Sequence, residues 1–419
     1  MGKTTAEAIA LVWRGESARL IGALTRITRD LDLAEDLAQD ALVSALESWP
    51  TEGVPDNPGA WLMTAAKRRA TDTFRRAENL RSKTEQLSHG LTEGDGMPDL
   101  TSQVDFIEDD VLRLIFLSCH PSLTPDSRAA LTLRLVGGLK TGEIARGFLV
   151  AESAMGQRIS RAKKTLADAR AEFELPLGDE RAARLDDVMT VVYLIFNEGY
   201  TATAGSDWMR PELTHEAIRL ARMLADLVPD EPDAHGLQAL LELQASRSPA
   251  RLDQAGDPVL LEDQDRSLWD ELLIRRGLAA LDRGSQLAAR GRPVGRYYLQ
   301  AAIAAQHARA ADPGETDWRT IAGLYDVLAQ AAPGPVVEVN RAVAHGRASG
   351  PEAGLAILDG ISLPGSHLLP SVRGDLLARA GRHPDAASAF REAAALTDNE
   401  REKALLLRRA GHCDEIAAR

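Results

Sequence analysis

Residues 57–76 constrain the fold more than any other stretch of the chain. Asn57-Pro58-Gly59-Ala60-Trp61 opens with a turn, and from there Leu62, Ala66, Ala70 and Phe74 recur at every fourth residue. Apolar residues at that spacing share one face of a helix. Arg68 with Arg75, and Arg69 with Arg76, repeat at seven and lay a cationic stripe along another side. A helix with one core face and one arginine face suits a polyanion such as nucleic acid. A merely solvated charged face gives the same pattern, so the neighbouring segments have to decide between them.

Upstream, Asp32 to Trp49 forms a helix with Ala38, Leu42, Leu46 and Trp49 on one side and Asp32, Glu35, Asp36 and Gln39 on another. The acidic side is either solvated or a docking surface for a basic partner. Pro50 to Pro58 reads as a proline-rich loop leading into the arginine helix. Residues 82–107 are rich in Ser, Thr, Gly, Asp and Glu, with acidic residues from Glu85 to Asp105, as in a flexible linker. Beyond it Leu112, Ile115, Phe116 and Cys119 share a face, which makes Cys119 a core residue rather than a reactive thiol. Thr124-Pro125 has the chemistry of an N-cap followed by proline at the first helical position. A short helix from Thr141, a turn at 148–150 and a longer helix from about Ala151 to Glu172 follow. In that longer helix Met155, Ile159, Ala162 and Leu166 form the apolar stripe. Gln157, Arg161, Lys164 and Asp168 form a polar stripe with Arg158 beside it. Short helix, tight turn and longer helix is the plan of a helix-turn-helix, whose Arg and Gln side chains reach base edges in the major groove.

Composition supports an all-α chain. Aromatic residues are 4% of the total, against 44% hydrophobic residues overall, and Ala, Leu, Arg and Glu are abundant. The net charge of −13 excludes a protein that coats nucleic acid over its whole surface, but not local basic patches. Two cysteines, Cys119 and Cys413, without metal spacing exclude a disulfide scaffold or zinc finger and fit a reducing compartment. With no secretory core and no apolar run near the roughly 18 residues of a membrane span, the expected location is the cytoplasm, away from membranes. No catalytic constellation emerges: Gly2-Lys3-Thr4-Thr5 mimics only the tail of a phosphate-binding loop, and His215-Glu216 lacks a second histidine. No metal or cofactor is expected.

Three segments in register carry a family resemblance. Asp32 to Ala41 resembles the core-polymerase-binding segment of sigma-70-family factors of the extracytoplasmic function (ECF) group. Asn57 to Arg76 is similar to the segment of those factors that melts and reads the −10 promoter element. Gly138 to Ala145 with Met155 to Leu166 resembles their C-terminal helix-turn-helix, which reads the −35 element. The resemblance covers about residues 6–172. It implies that Asp32, Glu35, Asp36, Gln39 and Asp40 face the clamp helices of the polymerase β′ subunit, with the β flap as a further contact. It implies that the 50–58 loop holds a flipped base, and that Asn57, Arg68, Arg69, Arg75 and Arg76 lie along DNA near the melted −10 region. Glu152, Ser153, Gln157, Arg158, Arg161 and Lys164 would lie in or beside the −35 major groove. Trp61 invites a stacking role, but a core tryptophan is the better reading.

The expected organisation is a polymerase- and −10-binding domain at 6–80, a linker at 81–107, and a −35-reading domain at 108–174. A helical extension at 176–285 and repeats at 286–419 complete it. In the extension Val188, Val191, Val192 and Ile195 make one helix face, and the charged 260–269 segment is anchored by Trp269. Pro351-Glu352-Ala353 through Ile357 recurs as Pro384-Asp385-Ala386 through Phe390, an offset close to that of tetratricopeptide repeats. Stacked helical pairs of that kind leave a concave groove for a peptide or protein. The layout resembles the ECF subgroup with a long tetratricopeptide-like extension. That resemblance implies control of promoter binding by the extension and a small DGPF-motif protein as a partner. The rival reading is a helix-turn-helix regulator with a repeat sensor domain that is no sigma subunit.

Overall fold

The computed structural model describes residues 5–85, 107–148, 150–200, 211–253, 259–397 and 400–418. Residues 2–4, most of the acidic linker (86–106) and residues 201–210 lie outside this set. Among the described residues the regular structure is eighteen α-helices and three short 3-10 turns, with no β-strand. The chain divides into two compact units, Met1–Val192 and Tyr193–Arg419.

The first unit opens with α1 (Thr5–Thr28), α2 (Leu31–Glu52) and α3 (Pro58–Glu85). Asp30 caps α2 by accepting the Leu33 N–H at 3.0 Å. The core side of α2 is Ala34, Leu37, Ala38, Ala41, Ala45 and Trp49. Leu46, expected on that side, is 46% exposed, because the helix packs through its small alanines and turns the leucine outward. The helix also runs through Pro50 to Glu52 instead of ending there. It stops at Gly53, whose φ of 87° no other residue adopts easily and whose N–H reaches the Trp49 carbonyl at 3.0 Å. The loop before α3 is therefore residues 53–57. Asn57 caps α3 by accepting the Ala60 N–H at 3.0 Å, and Pro58 is its first residue. Leu62, Ala66 and Ala70 are buried, and Trp61 packs edge-on against Trp49, ring centroids 5.3 Å apart.

After the linker come α4 (Ile107–Ser118), α5 (Pro125–Leu135), α6 (Thr141–Gly147) and α7 (Glu152–Asp168). Thr124 caps α5 as the sequence implies. The Lys140 N–H that opens α6 is accepted by Glu143 at 2.8 Å, so the cap comes from inside the helix rather than from Thr141. Met155, Ile159, Ala162 and Leu166 are all buried. Cys119 is buried beside Thr132, and burial pushes its thiol up to about 11, which leaves it inert at neutral pH.

These two helical groups pack directly on one another. Helix α1 lies along α4, where Gly22 comes so near the Asp110 backbone that an added Cβ would sit 2.8 Å from its carbonyl oxygen. Asp110 is fully buried and holds Arg26 of α1 and Arg113 of its own helix, each at 2.9 Å. Gly138, in the turn before α6, has φ +67° and would place a Cβ 2.6 Å from Ser17 Oγ of α1. The start of α8 (Gly178–Tyr200) joins this unit through Arg184, which donates to the Phe116 carbonyl, and through Asp187, which pairs with Arg128 at 3.3 Å.

In the second unit α9 (Pro211–Leu227), α10 (Pro232–Ala245), α11 (Glu271–Ala289) and α12 (Arg296–Arg309) pack in sequence. They are followed by α13 (Trp318–Ala331), α14 (Pro335–Ser349), α15 (Pro351–Leu358), α16 (Leu368–Arg379), α17 (His383–Leu396) and α18 (Glu400–Ala417). Successive helices pack as pairs, and the internal repeat is visible in them: Pro351 and Pro384 each stand in the first turn of the second helix of a pair. Gly374 on α16 lies against the Phe390 ring of α17, and a Cβ there would meet ring carbons at 2.8 Å. That small-residue-to-aromatic contact is what lets the two helices close on the core of Leu376, Leu377, Phe390, Ala393 and Leu406. Trp269 is buried, so it does anchor the 260–269 segment.

Candidate functional site

The residues expected to meet DNA fall into two sets. On α3, Arg68, Arg69 and Arg75 are exposed along the side opposite Leu62, Ala66 and Ala70, while the Arg76 side chain lies outside the described set. Asn57 is exposed but its side chain is engaged in capping, which fixes the junction between the 53–57 loop and the arginine helix. On α7, Glu152, Ser153, Gln157, Arg161 and Lys164 are all exposed and face away from the buried stripe. Gln157 Oε1 accepts from Arg161 Nη2 at 3.1 Å, so the two form one polar platform a helical turn apart. Arg158 is half-buried and pairs with Asp126 of α5 at 3.4 Å, which places it at the platform's edge.

The acidic residues of α2 separate into two groups. Asp36 and Asp40 are exposed and Gln39 is half-buried, donating to Glu35 Oε1 at 2.9 Å. Glu35 is 5% exposed and lies beneath the second helical group. Arg134 of α5 reaches Glu35 Oε1 at 2.6 Å through Nη2 and 2.7 Å through Nε. Lys163 of α7 reaches Glu35 Oε2 at 2.6 Å and Asp32 Oδ1 at 2.8 Å. Burial works against the Glu35 charge, but the Arg134 guanidinium and the Lys163 ammonium outweigh it and hold the carboxyl below the usual range. Lys163 is held above its ordinary value by the same two carboxylates, against its own desolvation. Neither Arg134 nor Lys163 stands out in the sequence, since each lies about a hundred residues or more from its partner. An arginine one residue before the end of α5 and a lysine next to the expected Lys164 are unremarkable as local pattern. The face expected to dock a polymerase is thus partly occupied by the chain's own helix-turn-helix.

Comparison with known proteins places this arrangement. Residues 13–79 match the family described as sigma-70 region 2, and residues 113–166 match sigma-70, region 4. The chain belongs to the ECF group of sigma-70 factors. Residues 184–285 match a family of unknown function (DUF6596). An uncharacterized protein of Rhizobium meliloti (strain 1021) is 44% identical over 397 residues, covering 94% of this chain and 92% of that protein. The ECF RNA polymerase sigma factor SigK of Mycobacterium ulcerans is 28% identical over 164 residues, covering 38% of this chain and 84% of SigK. The probable ECF RNA polymerase sigma factor SigI of Mycobacterium tuberculosis is 26% identical over 163 residues, covering 39% of this chain and 55% of SigI. Among solved structures, a tetratricopeptide repeat protein from Parabacteroides merdae aligns over 64% of this chain and 98% of its own with a TM-score of 0.34 and 13% identity.

The sigma factor therefore has its region 2 in α1 to α3 and its region 4 in α4 to α7. It acts in transcription initiation with core RNA polymerase and promoter DNA. No helix among the described residues is long and apolar enough to cross a membrane.

Proposed function

We propose that this sigma factor works in the cytoplasm, opening the −10 element with α3 and the 53–57 loop and reading the −35 element with α7. Asp32, Glu35, Asp36, Gln39 and Asp40 dock on the clamp helices of β′, and region 4 meets the β flap. The observation that carries the promoter assignment is the α7 platform: Glu152, Ser153, Gln157, Arg161 and Lys164 are exposed together on a helix whose opposite stripe is fully packed. Gln and Arg on a rigid helix have the donors and acceptors that read adenine and guanine edges. Exposed arginines on α3 offset the few kcal/mol per base that melting costs, by neutralising nearby phosphates. The pairing of Glu35 and Asp32 with Lys163 supports a second element of the reading. Region 4 must leave α2 before α2 can meet the clamp, so the form described here is a closed one.

The second unit receives a protein partner and thereby sets the activity of the first, a small DGPF-motif protein being the proposed partner. Initiation assays with purified core RNA polymerase test the reading. The full chain is expected to direct initiation from its own promoters, and Arg161→Ala with Gln157→Ala to abolish selectivity at the −35 element. Duplex DNA binding without initiation, under any arrangement of polymerase and template, refutes it.

A further inference from the structure

The connection between α10 and α11 runs from Ser246 to Asp270, far longer than joining two packed helices requires. Long connections in compact folds usually have work of their own. Its Leu260-Leu261-Glu262 stretch reaches helices distant in sequence. The Glu262 carboxylate is gripped by Arg347 of α14, Nη1 to Oε2 at 2.6 Å. Arg379 of α16 reaches both carboxylate oxygens through Nη2, at 2.8 and 2.7 Å. The two guanidiniums hold Glu262 below the usual carboxylate range in spite of its partial burial. Arg347 in turn lies 4.8 Å from the centre of the Trp318 ring. Two clefts, about 240 and about 330 Å³, share Leu260 and Leu261 in their walls.

The hollow around this stretch carries more cation than its own anions balance. Arg247 lines the larger cleft, has no ion-pair partner among the described residues, and its buried Nε donates to nothing. Arg266 is held by neutral acceptors, Nη1 donating to the His307 and Ala310 carbonyls and Nη2 to Thr316 Oγ1 at 3.3 Å, so these bonds leave its charge unbalanced. The His307 imidazole is pushed down to about 4 by burial and by Arg247, Arg266 and Arg347, so it stays neutral instead of adding another positive charge. A pocket with this balance is built for an anion, and Glu262 shows which kind it accepts. A free inorganic anion would satisfy the arginines but leave the apolar walls around Leu260 and Leu261 in water, whereas a peptide uses both.

We propose that this groove is the docking site for an acidic peptide of a partner protein, two apolar residues followed by a carboxylate. Leu260-Leu261-Glu262 is a tethered stand-in that the partner displaces. This gives a chemistry to the partner in the reading above, and it rests on that reading. The tether gives the resident segment an effective concentration of order millimolar, so a free peptide must outcompete it.

The probe is a fluorescein-labelled peptide of the sequence 259–266, followed by anisotropy against the full chain. Glu262→Gln, which vacates the arginines while keeping the segment's shape, is expected to bind the peptide at least tenfold more tightly than the unaltered chain. Adding Arg347→Met to Glu262→Gln is expected to remove binding. In the unaltered chain, millimolar peptide is expected to raise amide exchange across residues 259–266, a measurement that needs no variant to fold. If Glu262 only pins the connection in place, the peptide does not bind Glu262→Gln in trans and exchange stays unchanged, and either result overturns the proposal, as does binding indifferent to Arg347→Met. The assay contains no polymerase. Binding without any effect of the peptide on transcription would refute the regulatory reading alone. Absence of binding, in a protein whose transcription still responds to removal of the second unit, would refute this proposal alone.

Discussion

If region 4 closes on α2 through Glu35, the equilibrium between closed and open forms should answer to the two cations that neutralise that carboxylate. Lys163→Met removes one of them while keeping the length and packing of the side chain. A hydrogen bond to a charged group contributes about 1.5–3 kcal/mol. Lys163 also carries a desolvation cost in the closed form, so the lower end applies, about 1.5 kcal/mol, or roughly a tenfold shift toward the open form. Combining it with Arg134→Met leaves a 5% exposed carboxylate with no cation. An uncompensated buried charge costs about 3–5 kcal/mol, enough to make the closed form a minor one. If core RNA polymerase binds only the open form, as proposed, its apparent affinity scales with the fraction open. Titration of labelled protein with core polymerase should therefore show about tenfold tighter binding for Lys163→Met and a further gain for the double variant. Lys164→Met, exposed and one residue along, should leave core affinity alone. Circular dichroism establishes that each variant is folded. Unchanged or weaker core binding by folded Lys163→Met would refute the closed-form reasoning.

Three further outcomes follow from geometry already given. Gly138→Ala puts a side chain at φ +67° and 2.6 Å from Ser17 Oγ, and should lower the midpoint of thermal unfolding of the first unit by an amount corresponding to about 1–3 kcal/mol. An unshifted midpoint would mean the turn and α1 separate easily. His367 on the way into α16 pairs with Glu402 of α18 at 3.1 Å, and that carboxylate raises the imidazole above its ordinary value. Its contribution is present in full below about pH 6.5 and is lost as pH rises through the higher folded value. The second unit should thus be more stable at pH 6 than at pH 8, a difference that His367→Gln erases in calorimetry. Arg161→Ala should weaken binding to cognate −35 duplex by about 1–3 kcal/mol without changing thermal stability, as expected of an exposed base-reading side chain; a fall in stability would assign Arg161 to structure instead.

What could be read from the sequence was whatever repeats along one helix. Met155, Ile159, Ala162 and Leu166 are buried just where a spacing of three and four residues puts them. Leu62, Ala66 and Ala70 behave the same way on α3. Helix α2 was read less well because a leucine outweighs an alanine in any hydrophobicity pattern. Its packing instead depends on Ala41 and Ala45, small enough for close approach, and leaves Leu46 outside. Pro50 suggested a break, but in the last turn of a helix a proline sacrifices only one hydrogen bond, and Gly53 provides the actual stop. In the sequence Glu35 is one of four equivalent acids, with Asp32, Asp36 and Asp40. Its burial depends on Arg134 and Lys163, residues whose nearness is a property of the tertiary fold and leaves no trace in local spacing. The same holds for Glu262, whose two arginines come from α14 and α16.

The triad of Glu35, Arg134 and Lys163 has an evolutionary consequence. A carboxylate enclosed by two cations ties three codons to one another, since loss of the acid takes the buried partner from both cations and loss of the two bases leaves a buried carboxylate with none. Lineages related to this chain are expected to keep all three or to exchange them together, for instance for an apolar cluster, while Asp36 and Asp40, which face only solvent here, drift separately. An alignment in which position 35 varies independently of 134 and 163 would show that the enclosure is not under selection.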